Sequence, residues 1–182
     1  MNSAKAEKAA RILSLHCNVV SRALLREALA EVGGGLTPAQ YSGLRFVALH
    51  PGACIRDMAR GLQVSHPAAM KLAERLQKRG LITRTQSLDD QRRVCLRTTR
   101  RGEQLWRRIR EYHAGLIAKA LEGMGAGKAD QLLRLLVEFM QKILESEEQV
   151  AKVCLYCGIE HDNGCPVGRI EEELTGRPRS EY

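Results

Sequence analysis

The sequence predicts a mainly α-helical fold with one β-hairpin, and three features of the residue pattern lead to that class. Apolar residues recur at helical spacing over long stretches near both ends of the 182-residue chain. Glycine and proline clusters, such as Gly33-Gly34-Gly35 and Pro51-Gly52, separate the stretches. Between residues 81 and 98, two strand-like runs flank a polar segment, which indicates a hairpin.

The boundaries of these elements follow from capping residues. Thr37, Pro38 and Gln40 supply an N-cap hydroxyl, an early proline and a side chain that can complete a capping box. Ser65 is the N-cap of a later helix, and Gly80 ends it. We predict helices over residues 4–31, 37–50, 55–62, 65–79 and 99–123, strands over 81–85 and 93–98, and a last long helix with an apolar stripe from Leu132 to Leu144.

The net charge favours a polyanionic partner. Lysine and arginine outnumber aspartate and glutamate by 29 to 21, which gives +8. Cations set against phosphates gain affinity through counterion release. The first residues lack the layout of a signal peptide, and no apolar run is long enough to span a bilayer. We therefore expect a cytoplasmic protein that binds nucleic acid, with no membrane partner.

The order of elements over residues 37–98 is that of a winged helix-turn-helix, whose second helix enters the major groove of double-stranded DNA. In the helix after Ser65, one face carries small and apolar residues, including Ala69 and Leu76, and can pack inward. An ordinary solvated charged surface is the alternative interpretation of the opposite face. The residues predicted to contact DNA from that face are Ser65, His66, Pro67, Ala68, Lys71 and Arg75.

Basic residues also mark the hairpin. Arg84, Arg92 and Arg93 lie at or beside its predicted tip, where guanidinium groups can enter the minor groove. Asp90 is repelled by phosphates, so we predict that it orders the loop by pairing with Arg92 or a neighbouring arginine. A simple turn-forming aspartate is the alternative.

Four segments together resemble the MarR family of bacterial regulators. They run from Leu62 to Ser65, from Leu76 to Arg84, from Asp90 to Arg92 and from Thr99 to Gly102. The resemblance implies a homodimer that is held by helices from both chain ends. Such a dimer binds pseudo-palindromic operators and acts as a repressor until a ligand or oxidant intervenes. Its two half-sites are expected roughly 10 base pairs apart.

With this resemblance the chain divides into three regions. Residues 1–36 and 99–150 form a helical dimerisation region, and residues 37–98 form the winged helix-turn-helix domain. Residues 151–182 form a cysteine-rich tail. The long first helix and the stripe from Leu132 to Leu144 then become dimer-forming surfaces.

The tail contains a pattern typical of metal ligands. Cys154, Cys157, His161 and Cys165 fall within a short segment. Two thiolates with this spacing can bind one metal from a tight turn, and a third thiolate with an imidazole can complete a tetrahedral shell. The MarR family does not require these residues, so the site is inferred from chemistry alone.

Two metal centres fit the cysteine-rich segment. A Cys3His zinc site would use all four residues and would fold the tail. An iron–sulfur cluster would use the three thiolates with His161, Asp162 or a group from the other subunit, and Pro166 after Cys165 is typical of ferredoxin segments. We favour the cluster because it supplies a redox-labile input. A thiol oxidoreductase is disfavoured because the βαβ context is absent.

The favoured interpretation is a transcriptional regulator whose DNA affinity is set by the metal site. The alternative is a regulator that senses a small organic ligand between the dimer helices and the DNA-binding lobe, with structural zinc in the tail. No nucleophile–base pair or paired carboxylates occur at useful spacing, so we expect no enzyme activity. The scattered Cys17, Cys54 and Cys95 are predicted to be small buried apolar residues.

Overall fold

The computed structural model of the protein describes residues 3–86, 94–157 and 165–176, with only the backbone described for 126 and 155–157. The fold is mainly helical with a two-stranded antiparallel hairpin, as the sequence predicts. The helices are α1 Ser3–Asn18, α2 Leu25–Val32, α3 Pro38–Leu49, α4 Ile55–Gly61, α5 His66–Lys78, α6 Arg100–Met124, α7 Ala126–Gln141, α8 Glu147–Cys157 and α9 Pro166–Thr175; the strands are β1 Ile82–Gln86 and β2 Val94–Thr98.

The predicted first helix is present, but its backbone changes in the middle. A π-helical segment, Val19–Leu24, joins α1 to α2, so helical backbone runs from Ser3 to Val32. Apolar spacing does not reveal such a segment, because one wider turn leaves most of the face unchanged. Within this chain, α1 buries no residue, whereas α2 buries Ala28 and Leu29.

The predicted caps of α3 and α5 are confirmed. The Thr37 Oγ1 accepts a hydrogen bond from the Gln40 N–H at 3.2 Å, and the Gln40 Oε1 accepts one from the Thr37 N–H at 3.0 Å. The Ser65 Oγ accepts from the Ala68 N–H at 3.4 Å. These bonds satisfy N–H groups that have no partner within their own helix.

One apolar core joins α2 to α6 with the hairpin. Its centre is α3, which packs on the other helices of the domain and on β2. The large side chains that are fully buried in this core come from six elements and one connecting residue. They are Leu44 and Val47 of α3, Met58 of α4, Leu76 of α5, Leu81, Ile82 of β1, Leu96 of β2 and Ile109 of α6. The core therefore holds the helix-turn-helix, the wing and the start of α6 in one body.

The last predicted helix is shorter than expected. Helix α7 ends at Gln141, and Ser146 then starts α8 because its Oγ accepts from the Gln149 N–H at 3.3 Å. Leu144 lies in the connection and is buried within the chain, so its predicted place on a dimer-forming stripe is wrong.

Helices α8 and α9 pack beside the end of α7 around a second, smaller cluster. The buried members of this cluster are Leu144, Val150, Cys165, Val167 and Ile170, with Met140, Val153 and Cys154 partly buried against them. The Gln141 Nε2 also donates to both carboxylate oxygens of Glu173, at 3.0 and 3.2 Å. The end of α7, α8 and α9 thus share a cluster that the sequence pattern did not predict.

In the parts of the chain that the structure describes, no helix combines the length and the apolar character that crossing a bilayer requires.

Candidate nucleic-acid interface

Helix α5 packs tightly against the core of the domain. Its inner face buries Ala69, Ala73 and Leu76, all at 0% exposure. This face is the one that the apolar spacing predicts. Small residues at two of the three positions allow the helix axis to approach α3 and α4 closely. The outer face is consequently held in a fixed orientation.

All six residues predicted to contact DNA from α5 are exposed on one side of the domain: Ser65, His66, Pro67, Ala68, Lys71 and Arg75. The first four surround the start of the helix, where small side chains permit a close approach to a groove. Lys71 and Arg75 are separated by four residues and project from the same face. The structure therefore brings these six residues together.

Two apolar side chains on this surface were missed by the sequence prediction. Val64 and Met70 are each 41% exposed, one in the turn before α5 and the other one turn after His66. The spacing of Met70 from His66 could have placed it on the outer face. Exposed apolar groups here are suited to contact with thymine methyl groups in a major groove.

The wing consists of β1 and β2, and β1 packs beside α5. Its strands pair from Ile82↔Thr98 to Gln86↔Val94. The predicted tip residues Arg92 and Arg93 and the loop-ordering Asp90 lie outside the described residues. Their proposed roles remain predictions from the sequence.

Arg84 lies in β1, two residues before the loop end of the strand. It is half-buried, and its Nη2 donates to the Met70 carbonyl of α5 at 3.2 Å. Its Nε is buried without a hydrogen-bond partner among the described residues. The guanidinium therefore lies between β1 and α5, where it ties the wing to the recognition helix. This bond can fix the angle of the wing, and the DNA contact predicted for Arg84 stays a prediction.

Arg79 is a second positioning residue, and its role is not evident from the sequence pattern. Its Nη1 donates to the Gly35 carbonyl at 3.0 Å, and its Nη2 donates to the Gly34 carbonyl. These bonds join the end of α5 to the glycine loop before α3. Only the fold brings these residues together, because about 45 residues separate them along the chain.

Two apolar surfaces lie outside the DNA-binding domain. One follows α1 and the π-helical segment, and the other follows α7 and the two residues after its end. The large apolar side chains exposed on them are Ile12, Leu15 and Val19 on the first surface, and Leu133, Leu135, Phe139 and Ile143 on the second. Single exposed apolar side chains are common on protein surfaces, but here several lie along the same helix. Such surfaces are suited to contact with another protein surface.

In the tail, the structure brings two of the predicted metal ligands into one cluster. Cys165 is buried at 4% exposure before α9, and the half-buried Cys154 packs against the same cluster. The predicted tight turn between Cys154 and Cys157 is wrong, because both residues lie in the last turn of α8. Residues three apart still share a helix face.

The remaining ligand positions are only partly described. The side chain of Cys157 and the whole of His161 lie outside the described residues. Within the part of the chain that is described, no group of three or more His, Cys, Asp or Glu side chains is placed to hold a metal ion.

Near the start of α8, a hydrogen bond from Lys152 lowers the pKa of Glu148 below its usual value.

The scattered cysteines do not behave as predicted. Cys17 is exposed on α1, while Cys54 and Cys95 are half-buried. None of the three is fully buried. Burial as small apolar groups is therefore the wrong account of them.

Sequence comparisons agree with this geometry. The model of the MarR family matches residues 34–93. A putative transcriptional regulatory protein for the hcr operon of Thauera aromatica is 35% identical over 77 residues, so the match spans 42% of this chain and 46% of that relative. The homoprotocatechuate degradative operon repressor of Escherichia coli is 27% identical over 105 residues, which are 58% of this chain and 71% of the repressor.

A solved structure extends the likeness to most of the fold. FabT of Streptococcus pneumoniae, crystallised in complex with DNA, matches with a TM-score of 0.61 at 19% identity, covering 74% of this chain and 96% of the FabT chain. At that identity the likeness is one of fold. The chain is therefore a winged helix-turn-helix protein. The match to the MarR family model and the two relatives show that this chain is similar to transcriptional regulators.

Proposed function

We propose that the protein is a dimeric, sequence-specific DNA-binding transcriptional repressor. The observation that carries this proposal is the outer face of α5. His66, Lys71 and Arg75 are exposed there, while the opposite face is wholly buried in the core. A rigidly seated basic helix beside a projecting hairpin fits the major groove of DNA. The relatives named as an operon repressor and as an operon regulatory protein point the same way.

The DNA contacts divide into two kinds by position. The residues at the start of α5 can reach base edges, and Lys71 lies close enough to them to influence sequence preference. Arg92 and Arg93 in the wing are proposed to contact the sugar–phosphate backbone, or the minor groove, with less dependence on sequence. Arg84 has no direct contact in this proposal, because it is engaged with the Met70 carbonyl.

A homodimer is proposed from the two apolar surfaces on α1 and α7. The two recognition helices of a dimer are related by a two-fold axis, so its operator should be pseudo-palindromic. In this arrangement Phe139 and Leu135, which are 45% and 53% exposed in one chain, become buried by the partner.

The test begins with the operator, which is selected from random DNA with the full chain. Lys71→Ala should then weaken operator binding about 5- to 100-fold and relax preference at one position of each half-site. Arg92→Ala should weaken binding to all sequences and lower the salt dependence. Lys119→Ala, an exposed lysine on α6, is the matched control and should bind like the wild type. Unchanged binding by both interface variants would refute the placement of DNA.

The proposed input is a metal centre in the tail that modulates DNA binding. Support comes from the shared cluster of Cys154 and Cys165, which puts two thiols on neighbouring elements, and from the helical spacing of Cys154 and Cys157. We favour an iron–sulfur cluster, with His161, Asp162 or a group of the other subunit as the remaining ligand. Such a centre would make operator affinity respond to oxidants. A Cys3His zinc site is the alternative.

Metal analysis with an absorption spectrum on anaerobically purified protein decides between the two centres. A brown preparation that bleaches in air would support the cluster, and a colourless protein with one zinc per chain would refute it. Cys165→Ser should lose the metal in either case. Cys17→Ser, which changes an exposed cysteine of α1, should retain it.

Sensing of a small organic ligand is the second candidate, and one observation favours it. A cavity of about 340 Å³ lies between α2 and α3, lined by Arg26, Leu29, Ala30, Gly35, Leu36 and Pro38. Its position between the dimerisation region and the DNA-binding domain suits an organic anion that pairs with Arg26. Cys157→Ser separates the candidates. A metal sensor with this change keeps its dimer and loses regulation, whereas structural zinc predicts a disordered tail or a weaker dimer.

A further inference from the structure

Two cysteines that are far apart in the sequence lie opposite each other where the start of β2 runs beside the residue before α4. An isolated antiparallel bridge pairs Cys54, the residue before α4, with Cys95 of β2. The neighbouring hydrogen bond runs from the Leu96 N–H to the Ala53 carbonyl at 2.8 Å. Because this bond flanks the cysteines, they occupy the position of a non-hydrogen-bonded pair.

The spacing of such a pair suits a disulfide. Directly opposed residues at a non-hydrogen-bonded position have Cα atoms about 4.5 Å apart, with side chains on the same face. Disulfides need a Cα separation of roughly 4.4–6.8 Å. A bond between the Cys54 and Cys95 Sγ atoms therefore requires side-chain rotation and little movement of the backbone.

The side chains of Cys54 and Cys95 lie on the face of β2 that is turned away from the core. Leu96 is fully buried in the core, so its neighbour Cys95 points to the opposite face of β2. On that face Cys95 also pairs with Thr85 of β1, which is exposed. Cys54 and Cys95 are each half-buried. A small oxidant can therefore approach them from solvent.

We propose that Cys54 and Cys95 are an oxidisable dithiol that forms an intramolecular disulfide with hydrogen peroxide. One thiolate attacks the peroxide, the O–O bond breaks, and a sulfenic acid and one water result. The other thiol then displaces the sulfenic oxygen as a second water while the S–S bond forms. Two thiols give up two electrons and two protons in total, and one peroxide becomes two waters.

The disulfide would join the wing to the helix-turn-helix. The closed segment from Cys54 to Cys95 contains α4, α5 and the whole hairpin loop. A cross-link around so long a segment restricts the unfolded chain and stabilises the fold. The expected rise in Tm is about 5–10 °C. The proposal is independent of the tail cysteines and of the DNA-binding function.

Peptide mapping of the full chain tests the proposal. The protein is treated with a small excess of hydrogen peroxide, alkylated and digested with trypsin, which cuts after Arg45, Arg56, Arg93 and Arg97. The expected product is a disulfide-linked pair of the peptides 46–56 and 94–97. Its mass is lower than the sum of the two thiol peptides by two hydrogen atoms.

Three serine variants complete the test. Cys54→Ser and Cys95→Ser should each abolish the linked peptide and the rise in Tm on oxidation, while their reduced forms unfold cooperatively. Cys17→Ser should keep both effects. The proposal is overturned if the wild-type thiols stay fully alkylatable after peroxide, or if Cys54 or Cys95 is found linked only to another cysteine. It is also overturned if Tm rises equally in the Cys95→Ser variant.

Discussion

At the scale of single residues, Gly102 shows how a glycine fixes the junction between the wing and α6. A Cβ atom at this position would lie 2.0 Å from the Leu81 carbonyl oxygen. That oxygen cannot move easily, because it accepts from the Thr99 N–H at 3.0 Å. The Thr99 Oγ1 in turn accepts from the Gly102 N–H and donates to the Gly80 carbonyl. The junction therefore has no room for a side chain.

We predict that Gly102→Ala lowers the free energy of unfolding by about 2–3 kcal/mol, because the clash is with backbone. Gly123→Ala is the matched control in the same helix. Its Cβ would meet nothing within 4 Å, so the variant should gain up to about 1 kcal/mol from helix propensity. Denaturant unfolding at one protein concentration measures both. A neutral Gly102→Ala variant would contradict this packing of Gly102 against the Leu81 carbonyl.

Residue roles were predictable where the cause is local. The capping groups Thr37, Gln40 and Ser65 act within three residues, so their bonds could be anticipated from the sequence. Arg79 and Arg84 could not be assigned in this way, because their acceptors lie on other elements. A basic residue near a hairpin tip is equally consistent with a DNA contact and with a bond to a neighbouring helix.

At the scale of elements, the contact between β1 and α5 decides how the wing stands beside the recognition helix. We predict that Arg84→Ala lowers the free energy of unfolding by about 1–2 kcal/mol even without DNA, because the Met70 carbonyl loses a charged donor. Arg75→Ala changes an exposed arginine of α5 and should stay within about 0.5 kcal/mol of wild type.

Binding measurements complete the comparison of the two arginines. Arg75→Ala should weaken operator binding without changing stability, whereas Arg84→Ala should lower both together. If Arg84→Ala left the unfolding curve unchanged and weakened only DNA binding, the positioning role of Arg84 would be wrong and the direct contact would be restored.

The end of a helix could be predicted where residues next to that end cause it. The break after Gln141 escaped prediction because apolar spacing continues through Ile143 and Leu144, although the backbone leaves the helix there. Ser146 caps α8, and a serine at this position can indicate a new helix. The uninterrupted apolar spacing before it indicates one continuous helix instead. The pairing of Cys54 with Cys95 was equally hidden, since it arises only when β2 lies beside the start of α4.

At the scale of the whole molecule, the apolar surfaces of α1 and α7 are the part of the chain that the proposed homodimer would bury. Residues Leu133, Leu135 and Phe139 are each at least 45% exposed on α7. Within one chain these side chains have little covering them, and water contact with such a surface is unfavourable. Burial against a second copy would remove this contact with water. The same burial would set the spacing of the two recognition helices.

We predict that Phe139→Glu raises the dissociation constant of the dimer at least 30-fold, because a charge is placed in an apolar contact and both copies carry it. Sedimentation over a range of concentrations measures the constant. Leu174→Glu is the control, since Leu174 is 42% exposed on α9 and is not one of the exposed apolar residues that make up the two surfaces.

The same pair of variants connects assembly to DNA binding. A monomer can engage only one half-site, so Phe139→Glu should lose most of its affinity for the full operator while keeping its weak affinity for an isolated half-site. Leu174→Glu should bind both DNAs like the wild type. A Phe139→Glu protein that remains dimeric, or that dissociates and still binds the full operator tightly, would contradict a dimer held by α7.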